Sequence, residues 1–201
     1  MINEIEWKTS NKLVEYDFAI SVMTKRVLEI KNNTACEMIW LLEHNSIFTA
    51  GTSAKIEDLK NNNINFQYTG RGGQWTWHGP GQRVVYLMLN LKNRLQDVKA
   101  YVYALEELII LTLKDFYIYG TRINGQPGVW VKDNNKWNKI AALGIRISSW
   151  ITFHGISINV NPNLDQFNNI VPCGITNSGV TSFYKLGKKI SLIELDISLR
   201  K

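Results

Sequence analysis

The sequence predicts an α+β protein in which amphipathic helices pack on a sheet. Two observations carry this. Two segments repeat apolar residues at helical steps, and six others read as strands. The strands are not strictly interleaved with the helices, as a doubly wound parallel sheet would require. A length of 201 residues, with no internal repeat, proline-rich linker or low-complexity block, fits one domain over 1–201.

Taken in order, Tyr16, Ala19, Ile20, Met23, Val27 and Ile30 recur at three- and four-residue steps and predict the first helix. Glu37–Leu42 reads as an apolar strand, with Cys36 at its head expected to be inert core. Residues 61–65, rich in asparagine, are the most linker-like stretch and lead into a strand at Phe66–Thr69. A glycine-rich loop over 70–82 precedes a strand at Arg83–Asn90. Asp97 stands where it can cap a second helix, whose apolar stripe is Val98, Tyr101, Val102, Leu105, Ile109, Thr112, Leu113 and Phe116. Gly128–Lys132 is a further strand. Ile140–Ser148 and Ile151–Val160 flank Ser149-Trp150 and read as a hairpin, although the turn lacks glycine or asparagine. Ser191 and Glu194 have capping-box spacing before a helix of about two turns.

Composition narrows the function. Hydrophobic residues make up 45% and charged residues 20%, enough for a core and too little charge for wholesale disorder. Apolar runs such as Leu108–Leu111 fall far short of the ~18–20 residues of a membrane span. The opening MINEIEWKTS lacks a basic patch followed by an apolar stretch, so a cytoplasmic protein is expected, with no membrane partner. Cys36 and Cys173 form no CxxC pair and read as free thiols in a reducing compartment. No HExxH or CxxC spacing supports a metal site. The net charge of +6 favours acidic partners, but no run of four basic residues or nucleic-acid motif occurs. Nucleic acid is therefore not expected.

The chemistry concentrates in three places. Gly70–Gln82 holds five glycines, so its backbone can turn sharply and approach a ligand closely. It matches neither a Walker loop nor GxGxxG. A bulged hairpin with structural glycines competes with a binding loop; two exposed-type indoles, Trp75 and Trp77, beside Arg71 and His78 argue for binding. Lys139 opens an apolar strand, and His154 lies in another with a His-Gly step. Cys173, between Pro172 and Gly174, can be presented on a tight turn. A thiol of ordinary pKa, about 8.5, is only about a tenth thiolate in the cytosol. A cation within ~4–6 Å would supply more of the nucleophile, and Lys139, His78 and His154 are the candidates.

Together these pieces resemble the lipoyl(octanoyl) transferase family. The resembling segments are RGGQWTWHGPGQ at 71–82, KIAALGIRI at 139–147, TFHGISINV at 152–160 and PCG at 172–174. EHNSIFTAGTSAK at 43–55 and VTS at 180–182 match more weakly, and the resemblance runs from the first helix to about residue 186. Asn45 and Leu87 depart from it, each standing where the family usually has proline.

The resemblance implies a mixed sheet flanked by helices, like the catalytic domain of biotin and lipoate protein ligases. It makes Cys173 the acyl-thioester nucleophile and Lys139 the residue that lowers its pKa and moves its proton. It makes Arg71, Gly72, Gly73, Gln74, Trp75, Thr76, Trp77 and His78 one substrate-binding wall. Ala142, Leu143 and Gly144 form a second, and Gly155, Ile156 and Ser157 a third. The implied donor is octanoyl acyl carrier protein. The implied acceptors are the lipoyl domains of 2-oxoacid dehydrogenases and the glycine cleavage H protein, and no cofactor is needed. An ATP-dependent lipoate ligase on the same fold is the alternative, as is a non-catalytic protein that binds carrier or lipoyl domains.

Overall fold

The structure is a computed structural model and describes residues 4–133, 135–171 and 179–201. Its frame is a large mixed sheet. The strands are β1 (Ile5–Thr9), β2 (Glu37–Leu42), β6 (Gln82–Met88), β7 (Gly120–Ile123), β8 (Gln126–Asp133), β9 (Lys136–Ser148), β10 (Ile151–Asn159) and β11 (Gly179–Val180). They run in the order β1-β2-β6-β10-β9-β8-β7, with β11 paired to β9. The β1–β2 and β9–β11 pairs are parallel and the others antiparallel. A second sheet has the order β4-β3-β5, from β3 (Ile47–Ala50), β4 (Phe66–Tyr68) and β5 (Trp75–His78).

Period-two alternation explains how the central strands read as unbroken apolar runs. Met38, Trp40 and Leu42 of β2, with Val84, Tyr86 and Met88 of β6, face α1 (Tyr16–Lys31). The intervening Ile39, Leu41, Val85 and Leu87 face α2 (Val98–Asp115) and α3 (Leu192–Leu199). The sheet is thus buried on both sides. Glu15, at the start of α1, makes no side-chain cap bond. A cap is worth about 1 kcal/mol, whereas burying Met23, Val27 and Ile30 contributes ~1.5–3 kcal/mol each, so packing outweighs the missing cap. The expected caps of the other two helices form: Asp97 accepts from the backbone N–H of Lys99 and Ala100, and Ser191 and Glu194 close a capping box.

Ser149 and Trp150 do turn β9 into β10, with Ile151 opposite Ser148. Both have φ in the left-handed region, 52° and 67°, as a two-residue hairpin turn requires. The remaining strand expectations hold to within a few residues, but β1, β3, β5, β7 and β11 are additional. Cys36 corrects its expectation. It is half-buried, its sulfur lies 3.8 Å from an Arg26 nitrogen, and it lies outside the core clusters. Among the described residues no helix is long and apolar enough to cross a membrane.

Candidate active site

The two sheets face each other across a cleft of about 480 Å³, which Tyr16 of α1 also lines. The small sheet contributes Trp75, Thr76 and His78, with Arg71, Gly73 and Gln74 from the loop before β5. Ala142, Leu143 and Gly144 of β9 and Gly155, Ile156 and Ser157 of β10 form the opposite wall. Three segments far apart in sequence therefore meet here. Two expected wall residues do not reach the cleft. Gly72 turns its N–H to the carbonyl of Ile145 at 2.9 Å. Trp77 lies on the other face of β5, packed with Phe48 and Phe167. The expectation of exposed indoles is corrected too. Trp75 and Trp77 are 1% and 2% exposed, and their N–H groups donate to the Lys55 carbonyl and the Ser46 hydroxyl.

Arg71 is pinned at the cleft's edge. Its Nη2 donates to the carbonyl and hydroxyl of Thr49, both at 2.8 Å, and its Nη1 to the carbonyl of Gly72 at 3.1 Å. Gly144 packs close opposite it: a Cβ there would stand 3.0 Å from Arg71 Cδ. His154 enters the cleft through a break in the β6–β10 ladder. Its φ is +57°; beside the Thr152 N–H bond to the Leu89 carbonyl, the Thr152 hydroxyl bridges the irregular stretch, accepting from Leu89 N–H at 3.0 Å and donating to the Leu87 carbonyl at 2.6 Å.

The tautomers of the neutral His78 and His44 rings follow from donors and acceptors. The Thr181 carbonyl can only accept, so the Asn159 amide nitrogen donates to it. Asn159 Oδ1 must then accept from Gln82 Nε2, which leaves Gln82 Oε1 to accept from His78 Nδ1 at 2.6 Å. His78 therefore carries its proton on Nδ1, and its Nε2 is a lone pair. His44 Nδ1 likewise donates to the Val14 carbonyl, so the Tyr86 hydroxyl donates to His44 Nε2 at 2.6 Å. Burial lowers the pKa of His78 to about 3, helped by His44 and Arg71. Burial lowers that of His154 to about 4, helped by Arg71 and Arg146. Both rings are neutral at physiological pH.

Lys139 lies at an adjoining smaller cleft, about 290 Å³, that shares Thr76, Ala142 and Ser157 with the first. It is only 5% exposed. It stands inside β9 rather than opening it, since that strand begins at Lys136. The β8–β9 register slips by one between Val129–Ala141 and Trp130–Lys139, which sets Lys139 opposite Trp130. Its Nζ donates to the Pro127 carbonyl at 2.9 Å and lies 4.7 Å from the Trp130 ring centroid. Pro172, Cys173 and Gly174 lie outside the described residues. Among those described, no three histidine, cysteine, aspartate or glutamate side chains gather as metal ligands. Sequence reasoning missed Tyr16, Val84 and Tyr86 in the cleft, because each sits at a position whose periodicity reads as core.

A family model, the lipoyl protein ligase A/B catalytic domain, matches residues 15–198. The chain belongs to this family. An octanoyltransferase of Bartonella tribocorum is 52% identical over 98% of this chain and 84% of its own length. Among solved structures, LipL1 of P. falciparum in complex with lipoate superposes with a TM-score of 0.72 at 15% identity, over 98% of this chain and 60% of that one. The biotin protein ligase of Aquifex aeolicus, with biotin and ATP, gives 0.55 at 16%, over 99% and 67%. Those two likenesses establish the lipoate and biotin ligase fold, and the octanoyltransferase resemblance read from the sequence is borne out.

Proposed function

We propose that this lipoyl ligase family member is an octanoyltransferase, which moves an octanoyl group from acyl carrier protein to a lysine of a lipoyl domain by way of a Cys173 thioester. The observation that carries this is the cleft, where three motif segments converge beside the buried ammonium of Lys139. In the first half-reaction the Cys173 thiolate attacks the donor carbonyl. A new C–S bond forms to Cys173, the carrier's C–S bond breaks, and the departing carrier thiolate takes the proton that Lys139 drew from Cys173. One thioester replaces another, so the step is close to isoenergetic. In the second, the acceptor amine attacks the acyl-Cys173 carbonyl. A C–N bond forms, the C–S bond breaks, and the amine's proton passes through Lys139 to the departing thiolate. Amide formation from a thioester is downhill, and no nucleotide is consumed.

The neighbours of Cys173 support its pairing with Lys139. Val171 is tied to Asp58, and after Ser178 the chain runs as β11 with Val180 opposite Lys139. The neutral His78 and His154 leave Lys139 as the cation of the three candidates. The apolar strands of the cleft suit an acyl chain, and the positive net charge suits acidic carrier and lipoyl domains. The test is mass spectrometry of the protein mixed with octanoyl carrier protein and no ATP. An octanoyl adduct on Cys173 that a lipoyl domain discharges supports the transferase. Acylation of the lipoyl domain only with ATP and free acid would make the protein a ligase, and neither result would leave a binding module.

A further inference from the structure

Lys139 is gripped by a single peptide unit. The carbonyl of Pro127 accepts from its Nζ at 2.9 Å, and the N–H of the same peptide, on Gly128, donates to Glu106 Oε1 at 2.9 Å. In a trans peptide these two groups point in opposite directions. The peptide dipole therefore lies between an ammonium and a carboxylate, and both hydrogen bonds are charge-assisted. Gly128 has φ +122°, a conformation that side chains resist. A Cβ there would also stand 2.7 Å from the Ala141 carbonyl oxygen and 3.2 Å from Lys139 Cε. The lysine stem thus packs directly on the peptide that holds its head.

Glu106 is the odd member of its interface. It is 7% exposed on α2, between helix and sheet, where Leu105, Ile109 and Leu113 bury apolar side chains. A carboxylate there is costly unless fully bonded. Its second oxygen accepts from Arg122 Nε at 3.1 Å, and Arg122 also reaches Glu107 at 2.6 Å.

We propose that Glu106 is a positioning residue for Lys139, acting through the Pro127–Gly128 peptide. This rests on the reading of Lys139 as the partner of Cys173. Glu106 fixes the tilt of the peptide, the Pro127 carbonyl then fixes Nζ over the Trp130 ring, and the amine stays where the thiol needs it. A distant change that displaces a reacting group by 1 Å can cost about 10²-fold in rate.

Three variants and two readouts test this. Glu106→Leu removes the acceptor for Gly128 N–H, and Glu106→Gln keeps an acceptor oxygen. Arg122→Met breaks the ion pair but leaves the Glu106–Gly128 bond. One readout is the rate at which an amine-reactive reagent labels Lys139, followed by peptide mass spectrometry. The other is kcat and KM for transfer from octanoyl carrier protein to a lipoyl domain. Glu106→Leu is expected to speed Lys139 labelling roughly tenfold and lower kcat about 10–100-fold with donor KM within about twofold. Glu106→Gln and Arg122→Met should stay within about threefold of the parent in both. Should Glu106→Leu not fold, Glu106→Ala, which demands no space, carries the same readouts. Unchanged labelling in the Leu or Ala variant overturns the proposal. An Arg122→Met variant as impaired as Glu106→Leu also overturns it, because Glu106 would then only anchor the helix to the β7–β8 hairpin. Faster labelling in Glu106→Leu, with full transfer in both that variant and Lys139→Met, upholds the positioning and rejects the catalytic reading of Lys139.

Discussion

Two thiols and one amine carry the residue-scale argument. Cys36 has Arg26 beside it, but that guanidinium also pairs with Glu6 at 2.7 Å and Glu29 at 3.8 Å, so its charge is shared. Cys36→Ala is expected to leave acyl-enzyme formation and transfer largely intact, while Cys173→Ala abolishes both. Intact-mass and transfer assays on the two folded variants check this, and equal losses would remove Cys173 from its role. If the Lys139 ammonium lies within about 4–6 Å of the Cys173 sulfur, it favours the thiolate by Coulomb attraction. Removing the charge should then raise the thiol's pKa. In a Cys36→Ala background, Lys139→Met is expected to move the pH midpoint of iodoacetamide alkylation up by roughly one unit, about 1.4 kcal/mol. Superimposable pH curves would show a thiol that does not sense this lysine. Transfer should fall further than alkylation, because the same amine moves the acceptor's proton.

At the scale of elements, the helices and the central strands announce themselves locally. Asp97 accepts from Lys99 and Ala100 N–H at 2.8 and 3.1 Å, on an exposed surface far from the chemistry. Asp97→Ala is expected to cost about 1 kcal/mol in urea unfolding with no loss of transfer. Gly155 is the contrasting case. A Cβ there would lie 2.1 Å from the Val85 carbonyl oxygen, so Gly155→Ala must force β10 away from β6. It is expected to cost more than the cap mutation and to reduce transfer as well, because Gly155 and Ile156 line the cleft. Equal unfolding midpoints for the two variants would show that the strands give way freely at this point. Four of the five strands missing from the sequence reading, all but β1, have four residues or fewer. That is too few for a period to stand out, and β5 lies inside a glycine-rich run that reads as loop.

The whole molecule buries all of its three histidines, and burial is the largest cause of a lowered pKa in each. In the unfolded chain they titrate near 6.5. As pH falls from about 6.5 toward 4, the unfolded chain takes up protons that the fold excludes, so stability falls. The slope reaches about 1.4 kcal/mol per pH unit for each histidine, and it levels off only below the folded values of about 3 and 4 for His78 and His154. Urea midpoints are expected to drop steadily between pH 7 and pH 5. A constant midpoint would mean that these rings titrate in the fold as they do in the unfolded chain.

What the sequence by itself determined is whatever a contiguous segment can encode. The helical stripes of α1 and α2, the caps at Asp97 and Ser191, the apolar central strands and the motif segments are all of this kind. Only the tertiary structure decided which faces meet. It turned Thr76 and His78 into the cleft and Trp77 away, and it brought Arg71 against Gly144. It also fixed the tautomer of His78 through Thr181, and set one peptide between Lys139 and Glu106. Each of these depends on the register between strands or helices distant in the chain. A shift of one residue exchanges the two faces of a strand, and no local pattern records it.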